Sequence, residues 1–552
     1  MKKFILFTFV LLIADTAFCQ INEDYREKGM LGTDRSIYIA GENIHFNAFV
    51  TSTPDKLISK IVYVELITPN GKQIKGVKYR ITSSGASGKI KIPTNIYSGN
   101  YYLRAYTQYM RNSGPSSYAY QGIKIIHPTH EHVLNETNPE GSSPFKLSAA
   151  ETPPGMSLEI PKDTFGIRSQ VKVLLKNNSP EQIDHLTISV VPAGTVSREQ
   201  IIPSEHQSTS TSFYPETRGL SLSGFLKDEN TDQPLVHKKI NLTLLRTPKN
   251  LFYATYTDNR GAFYFALPDL TGDHDLFISP ESIPDTRPKL YINKDFCSQR
   301  INLPNPVFEL TDKEKKTIYQ LAVNIQVHRH FFKDQDRDSS LFHPEPKDTL
   351  PFYGFPSHTL NINNYIELPT LEDYLKEISF PLKVRGNKEN KHFKIIGSHH
   401  ELNIYQPLIM VDLVPVYNVN DILEISPEKI DRIEVVNTPY IKGEIKYGGL
   451  ANIISVNNDL GGVKLPDSGM FVNYSFLSPK DSCEESSDIP ENKNIPDARN
   501  TLYWNPEGKI NSGSSISFSF RTGDTSETYK IKVTGITEKG KVITFTKTFW
   551  VK

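Results

Sequence analysis

Between Ile37 and Val50 the apolar residues recur at every second position on both sides of one tight turn. Ile37 and Ile39 flank Tyr38, Ala40-Gly41-Glu42 makes the turn, and Ile44, Phe46, Ala48 and Val50 alternate with polar residues. A period of two is that of strands with one buried face. The pattern continues to Pro128. Ile61–Ile67 ends at the turn Pro69-Asn70-Gly71, and glycines stand just before further strands at Gly88 and Gly99. Tyr101–Tyr106 closes the set. The 27 Tyr, 29 Phe, 37 Pro and 32 Gly suit short strands joined by tight turns rather than helical bundles.

The chain has 552 residues, a length for three to five domains. Lys+Arg and Asp+Glu both number 62, which argues against non-specific nucleic-acid binding and against a polybasic membrane anchor. Lys2 and Lys3 precede an apolar run from Phe4 to Ile13, and Ala17-Phe18-Cys19 supplies small residues where signal peptidase reads them. A secretory leader cleaved after Cys19 is therefore expected, with Gln20 first in the mature chain. The apolar run is far below the ~18 residues of a membrane span, and no later run is long enough. Phe18 is wrong for lipidation at Cys19. The mature chain keeps Cys297 and Cys483, too few for a disulfide framework and spaced for no metal knuckle. One bridge between them and two separate thiols both stay open.

Three stretches carry family wording. DRSIYIAGENIHFNAFV resembles the second macroglobulin-like domain of alpha-2-macroglobulins, and SGNYYLRAYTQYMRN resembles its later strand in bacterial relatives. Strands at Ser221–Leu226 and Ile240–Leu245, then Tyr253–Thr257 and Ala262–Leu267 read as a hairpin around Asp258-Asn259-Arg260-Gly261, follow. With Thr257, Asp258, Gly261, Phe263 and Phe265 they resemble the transthyretin-like regulatory domain attached to carboxypeptidases. That resemblance implies a structural sandwich rather than a catalytic centre. Pro407–Val456 has apolar strands at Leu408–Val416, Arg432–Asn437 and Leu450–Val456 around a short helix read from Ser426, with Pro427 at its first position. It resembles the plug domain of TonB-dependent receptors. The family's Asp-Gly is Asp412-Leu413 here, and its YG motif stands as Tyr447-Gly448-Gly449. The 22-stranded barrel of that family needs many strands, and only about 95 residues follow. A plug-like part without its barrel is expected. The combination resembles envelope proteins of Bacteroidetes.

The expected fold class is mainly β: multidomain β-sandwiches, macroglobulin-like and transthyretin-like, with an α+β plug-like module. The expected order is leader (1–19), macroglobulin-like sandwich (20–128), linker (129–150), first half of a discontinuous sandwich (151–216), regulatory-like sandwich (217–300), helix and polar linker (301–350), plug-like module (351–460), linker (461–496) and second half of the discontinuous sandwich (497–552). Ser157–Val191 and Thr501–Val551 are each too short to bury a core alone, and together they reach the size of one sandwich. Tyr503, Phe518, Phe520, Tyr529, Phe545 and Phe549 are its expected core aromatics. Thr311–Phe332 reads as a helix with Thr311 and Glu314 as a capping box, and Leu371–Ile378 as a second helix capped by Thr370.

No HExxH, GxSxG or P-loop occurs, nor the GCGEQ thioester wording of complement-like macroglobulins. His127, His130 and His132 lie close, in a segment read as a solvated linker. Asp334, Asp336, Asp338 and Glu345 fit positions 1, 3, 5 and 12 of a calcium loop. Ser339 replaces the glycine that loop needs, and Pro344 and Pro346 oppose an exiting helix, so a solvated acidic linker is the favoured reading. Arg104 and Arg111 read as surface arginines with packed stems. Glu401, Asp412, Glu424, Glu428, Asp431 and Glu434 read as solvated charge. No catalytic, cofactor or metal residue is assigned. The expectation is a non-catalytic exported binding or scaffold protein of the Gram-negative periplasm or outer membrane. Its partner is expected to be a protein of the cell envelope such as an outer-membrane barrel, with no nucleic acid and no integral span. The alternatives are an accessory subunit of TonB-dependent uptake and a macroglobulin-type protease inhibitor.

Overall fold

The computed structural model describes residues 25–54, 56–82, 85–134, 145–149, 155–196, 199–203, 213–245, 250–331, 350–387, 391–479, 494–537 and 542–552. The leader with Cys19, the acidic set Asp334, Asp336, Asp338 and Glu345, and Cys483 lie outside these residues. The fold is mainly β. Its described residues fall into two compact units, one within Met1–Arg218, Phe296–Asp338 and Ser478–Lys552, the other within Gly219–Asp295 and Ser339–Leu477.

The first unit opens with a sandwich. β1 (Arg26–Thr33), β3 (Asn43–Thr53) and β6 (Gly85–Lys91) form one antiparallel sheet. β2 (Ile37–Ile39), β4 (Ile61–Ile67), β5 (Gln73–Arg80), β7 (Gly99–Tyr106) and β8 (Ala119–Ile126) form the other, in the order β2-β8-β7-β4-β5. Gly41, at φ +87°, allows the turn between β2 and β3. β4 is buried at every position, on both faces. One face meets the sandwich core. The other is covered by Phe296–Pro306, where Phe296 stands edge-on to Tyr63, Leu303 N donates to Pro69 O at 2.9 Å and Tyr102 Oη donates to Pro304 O.

A second sandwich is assembled from segments far apart in the chain. β10 (Met156–Glu159), β12 (Gln170–Asn177) and β32 (Ser514–Arg521) make a three-stranded sheet. β11 (Thr164–Phe165), β34 (Val542–Val551), β33 (Thr528–Thr537), β13 (Ile183–Pro192) and β31 (Tyr503–Ile510) make a five-stranded one, in that spatial order. Val171, Val173, Leu186 and Ile188 share one core with Tyr503, Phe520, Tyr529 and Phe549, while Phe518 and Phe545 pack at its margin. β9 (Phe145–Ala149) pairs with β14 (Glu199–Pro203), both in stretches read as linker and loop. Helix α1 (Asp312–Phe331) begins with the expected capping box: Glu314 N donates to Thr311 Oγ1 at 3.2 Å, and Thr311 N to Glu314 Oε2 at 2.8 Å. Its Ile318 and Leu321 pack with Ile37, Ile39 and Ile126.

The second unit corrects several expectations. β15 (Ser221–Asp228), β18 (Ala262–Ala266) and β20 (Pro288–Ile292) form one sheet. β16 (Lys239–Leu245), β17 (Leu251–Tyr256) and β19 (Asp273–Pro280) form another with β30 (Met470–Ser475). The supposed hairpin at Asp258–Gly261 is thus a crossing between sheets. Asp258 Oδ1 accepts from the Arg260 and Ala262 N–H groups at 2.8 Å each, closing the turn while β17 and β18 diverge. β30 lies in the stretch read as a linker (461–496) and completes the sheet of the earlier sandwich. The regulatory-like and plug-like segments are therefore not self-contained; they form one compact unit.

In the plug-like segment, β21 (His358–Asn361), β26 (Ile430–Val436), β29 (Leu450–Ser455), β24 (Leu408–Val411) and β25 (Val414–Pro415) make the main sheet, in that order. β22 (Leu382–Arg385) pairs with β23 (His392–Ile395), and β27 (Tyr440–Lys442) with β28 (Ile445–Tyr447). Helix α2 (Leu371–Glu377) is capped by Thr370, whose side chain accepts from Asp373 N, and it packs Leu371, Tyr374 and Leu375 into the core under this sheet. The helix expected from Ser426 is a single tight turn, Pro427–Lys429, and Ser426 makes no side-chain cap. The helix lies earlier, as α3 (Val419–Leu423), capped by Asn418. Pro427 fits both structures, so the sequence signal was real but the turn is too short to propagate.

Because β12 and β13 each pair with strands beyond Asp497, truncation there is expected to strip amide-exchange protection from Gln170–Lys176 and Leu186–Val191. Strands β4 and β7 keep theirs. Equal protection of Gln170–Lys176 in the truncated and full chains would contradict the shared core.

Candidate functional site

The motif Asp34-Arg35-Ser36-Ile37-Tyr38, with Glu42 beyond the turn, is where the pieces of the first unit meet. Asp34 is fully buried. Its Oδ1 accepts from Tyr38 Oη at 2.6 Å and His45 N at 3.2 Å; its Oδ2 accepts from Arg35 Nε at 3.2 Å and Thr501 Oγ1 at 2.6 Å. Arg35 reaches on to Glu42, Nη2 to Oε1 at 3.0 Å. Glu42 also accepts from Ile39 N at 2.7 Å and Asn500 Nδ2 at 2.8 Å. Asn500 Oδ1 accepts from Asn324 Nδ2 of α1 at 3.0 Å. The second sandwich adds Ser189 Oγ, donating to Asp34 O at 3.1 Å, and Lys532 Nζ, donating to Thr33 O at 3.0 Å.

Burial opposes ionisation of Asp34, but Arg35, His45, Thr501 and Tyr38 more than offset it and hold the carboxyl below the usual range. Lys532 is the reverse case. Burial of its ammonium pulls it down to about 8 against the opposing pull of Asp34.

A second buried pair lies on the covered face of β4 and β7. Arg104 Nη2 and Nε donate to Glu65 Oε2 at 2.6 and 3.0 Å, and Nη2 also donates to the Cys297 carbonyl at 3.1 Å. Cys297 N donates in turn to Tyr106 Oη at 2.6 Å. Burial pushes the Glu65 carboxyl up, and Arg104 pulls it back. Arg104 is therefore not a surface arginine: it is fully buried and fixes the returning segment at Cys297. Arg111 is partly exposed, and its guanidinium rather than its stem lies over the Phe213 ring, 3.9 Å from carbon to centroid.

In the second unit Asp412 and Leu413 form the tip of the β24–β25 hairpin. Asp412 and Leu413 both adopt positive φ, +47° and +66°. A glycine would take this conformation without strain; leucine does not. The tip is held from both sides. Asp412 carboxylate oxygens accept from Ser455 N at 2.9 Å, Ser455 Oγ at 2.5 Å and Leu460 N at 2.8 Å. Leu413 N donates to Asn452 Oδ1 at 3.0 Å, and the two tip carbonyls accept from Asn250 Nδ2 at 2.7 Å and Thr243 Oγ1 at 2.9 Å. Asp412 and Glu434 are buried rather than solvated; Glu434 accepts from Tyr353 Oη and from Arg432 Nε at 2.8 Å. Gly448 and Gly449 have steric reasons. A Cβ at Gly448 would strike the Tyr405 carbonyl, and Gly449 holds φ +87°.

The remaining candidates do not converge. His127 Nε2 lies 2.9 Å from Thr94 O, and its Nδ1 accepts from Thr129 N and His130 N at 3.3 and 3.2 Å, so both ring nitrogens are engaged; His130 and His132 are exposed. Among the described residues no group of three His, Cys, Asp or Glu side chains is placed to hold a metal. Glu401, Glu424, Glu428 and Asp431 share no site, and Cys297 is a buried thiol 3.8 Å from Tyr118 Oη. Asn324, Asn500, Thr501 and Lys532 were missed in the sequence. Their partners lie far along the chain, and no local pattern marks them.

The MG2 domain family matches residues 28–120, so the opening sandwich is a macroglobulin-like domain. No curated protein matches the chain. Among solved structures, alpha-2-macroglobulin of Escherichia coli activated by porcine elastase is 10% identical, with a TM-score of 0.23, over 95% of this chain and 44% of that one. Salmonella alpha-2-macroglobulin reacted with methylamine is 10% identical, with a TM-score of 0.16, over 96% of this chain and 23% of that one. Dimeric latent PorU from Porphyromonas gingivalis is 8% identical, with a TM-score of 0.16, over 51% of this chain and 34% of that one. The chain thus spans less than half the length of these macroglobulins.

Lys532 gives the junction a pH signature. Its folded value of about 8 lies below the ordinary 10.5, so between these values the unfolded chain binds a proton that the folded chain does not. Stability should therefore rise with pH above 8, until buried tyrosines begin to oppose it near pH 10. Lys532→Met is expected to flatten this rise by about 1–2 kcal/mol in denaturant unfolding between pH 8 and 10. An unchanged slope in Lys532→Met would contradict the assignment.

Proposed function

We propose that the chain is an exported, non-catalytic binding scaffold of the Gram-negative periplasm or outer membrane, making its contacts through sandwich edges and loop tips. The observation that carries this reading is where the buried charges go. Asp34, Arg35, Glu65, Arg104, Asp497 and Arg499 are all buried, and each is paired inside the fold. These groups serve rigidity and are not presented to a substrate. The leader-like sequence at Met1–Cys19 supports export.

Two narrower readings have specific support. The sequence resemblance of Pro407–Val456 to a plug domain, with Tyr447-Gly448-Gly449, suggests an accessory role in TonB-dependent uptake, with an outer-membrane barrel as partner. The MG2 match favours a macroglobulin-type inhibitor. That role needs a bait segment and a cage of many such domains.

Purified protein is expected to show no peptidase or glycosidase turnover and to retain no broad-specificity protease after co-incubation. Cross-linking in envelope extract should give a discrete complex with an outer-membrane protein. Turnover abolished by one point substitution would overturn the non-catalytic reading, and a stably retained protease would replace it with the inhibitor.

A further inference from the structure

β32 is an outer strand of the sheet β10-β12-β32. It pairs with β12 along its whole length without a register shift, from Ser514 opposite Asn177 to Arg521 opposite Gln170. Just past its end, Thr522 N donates to Ser169 O at 3.0 Å. In an antiparallel ladder successive residues alternate between bonding across to the neighbour and pointing away from it. Counting back from Thr522, residues Phe520, Phe518 and Ile516 bond to β12. The N–H and C=O groups of Ser519, Ser517 and Ser515 point away. Among the described residues these three serines have no other hydrogen-bond partner.

Sheet edges are normally kept from pairing by shortness, charge, proline or a bulge. β10, the opposite edge, has four residues and carries Glu159, which pairs with Lys176 at 2.7 Å. β32 has eight residues, no proline and no charge before Arg521. Its serine side chains at 515, 517 and 519 are exposed, while Ile516 and Phe518 are only partly covered at the margin of the core. Backbone groups and apolar flank together call for one more extended strand.

We propose that β32 is the docking edge for a second copy of this chain, the two strands pairing antiparallel about a two-fold axis at Ser517. Outward-pointing residues must face outward-pointing residues, and this axis satisfies that requirement. Ser517 faces Ser517 of the partner subunit, and Ser515 faces Ser519 of the partner subunit, each pair exchanging both backbone bonds. The same register sets Ile516 against Phe518 of the partner subunit, which covers the exposed flank of both cores. Arg521 falls opposite Gly513 of the partner subunit, so no like charges meet. Two three-stranded sheets become one continuous sheet, and the edge disappears. Self-pairing at β32 holds whether or not the plug-like module engages a barrel.

Sedimentation equilibrium of the full chain is expected to show reversible dimers. Ser517→Pro removes an outward N–H without touching the β12 ladder, a position where an edge strand tolerates proline. That variant should keep the parent melting profile and sediment as a monomer. Ser517→Cys gives an independent reading that does not depend on the proline variant folding. Facing residues of such a pair have Cα atoms about 5.5 Å apart, within disulfide range. Under mild oxidation Ser517→Cys should form a linked dimer well above the parent background. A parent that stays monomeric up to about 200 µM, in the range of weak association, would overturn the proposal. So would a dimer indifferent to Ser517→Pro, or an edge filled instead by an added extended peptide with no self-association.

Discussion

The buried carboxylate of Asp34 is the contact on which the first unit depends. A carboxylate removed from water is costly unless its oxygens are filled, and Asp34 fills its own with Tyr38, Arg35 and His45 nearby and with Thr501, 467 positions along the chain. Arg35 and Glu42 extend the same network to Asn500 and, through it, to α1. Hydrophobic packing alone would hold these parts together with little preference for one orientation. Directional bonds to a buried charge choose a single arrangement, because any slip leaves an unsatisfied ion. The macroglobulin-like turn is thus both the crossing from one sheet to the other and the socket into which the last fifty or so residues plug.

The second unit uses the same physics with a different residue. Asp412 sits at the tip of a two-residue turn whose second position strains a leucine. The strain persists because the surroundings over-determine it: the side chain of Asp412 is bonded to the end of β29, and the tip carbonyls are bonded to Thr243 and Asn250 of the neighbouring sandwich. The segments that read as separate domains are joined by that tip and by β30, which returns after the plug-like module to close the earlier sheet.

The legible parts of the fold were those set by local chemistry. Period-two alternation located the strands of the macroglobulin-like domain, and Thr311 with Glu314 located α1 to within a residue at each end. The aromatics near the C-terminus also lie in or beside the core that β12 and β13 share with β31–β34. What failed was non-local. Tyr38 alternates with Ile37 and Ile39 and so reads as the other face, yet it is fully buried because its hydroxyl serves Asp34. Arg104 reads as exposed until Phe296–Pro306 returns to cover it. Met470–Ser475 carries an ordinary strand pattern, but its partner β19 lies almost two hundred residues earlier, so nothing nearby marks it as a sheet member. The network residues Asn500 and Thr501 are short polar side chains in a loop, the commonest kind of surface residue, and only their distant partners Glu42 and Asp34 distinguish them.

A double-mutant cycle between Asp34→Asn and Thr501→Val tests the central claim most directly. The two residues are 467 positions apart and joined by one hydrogen bond of 2.6 Å. If Asp34 is the socket for the C-terminal segment, the unfolding free energies of the two single variants and the double variant should show a coupling of more than about 1 kcal/mol. Additivity to within about 0.3–0.5 kcal/mol would mean that the two groups do not sense each other, and that the first unit is held together by something other than this junction.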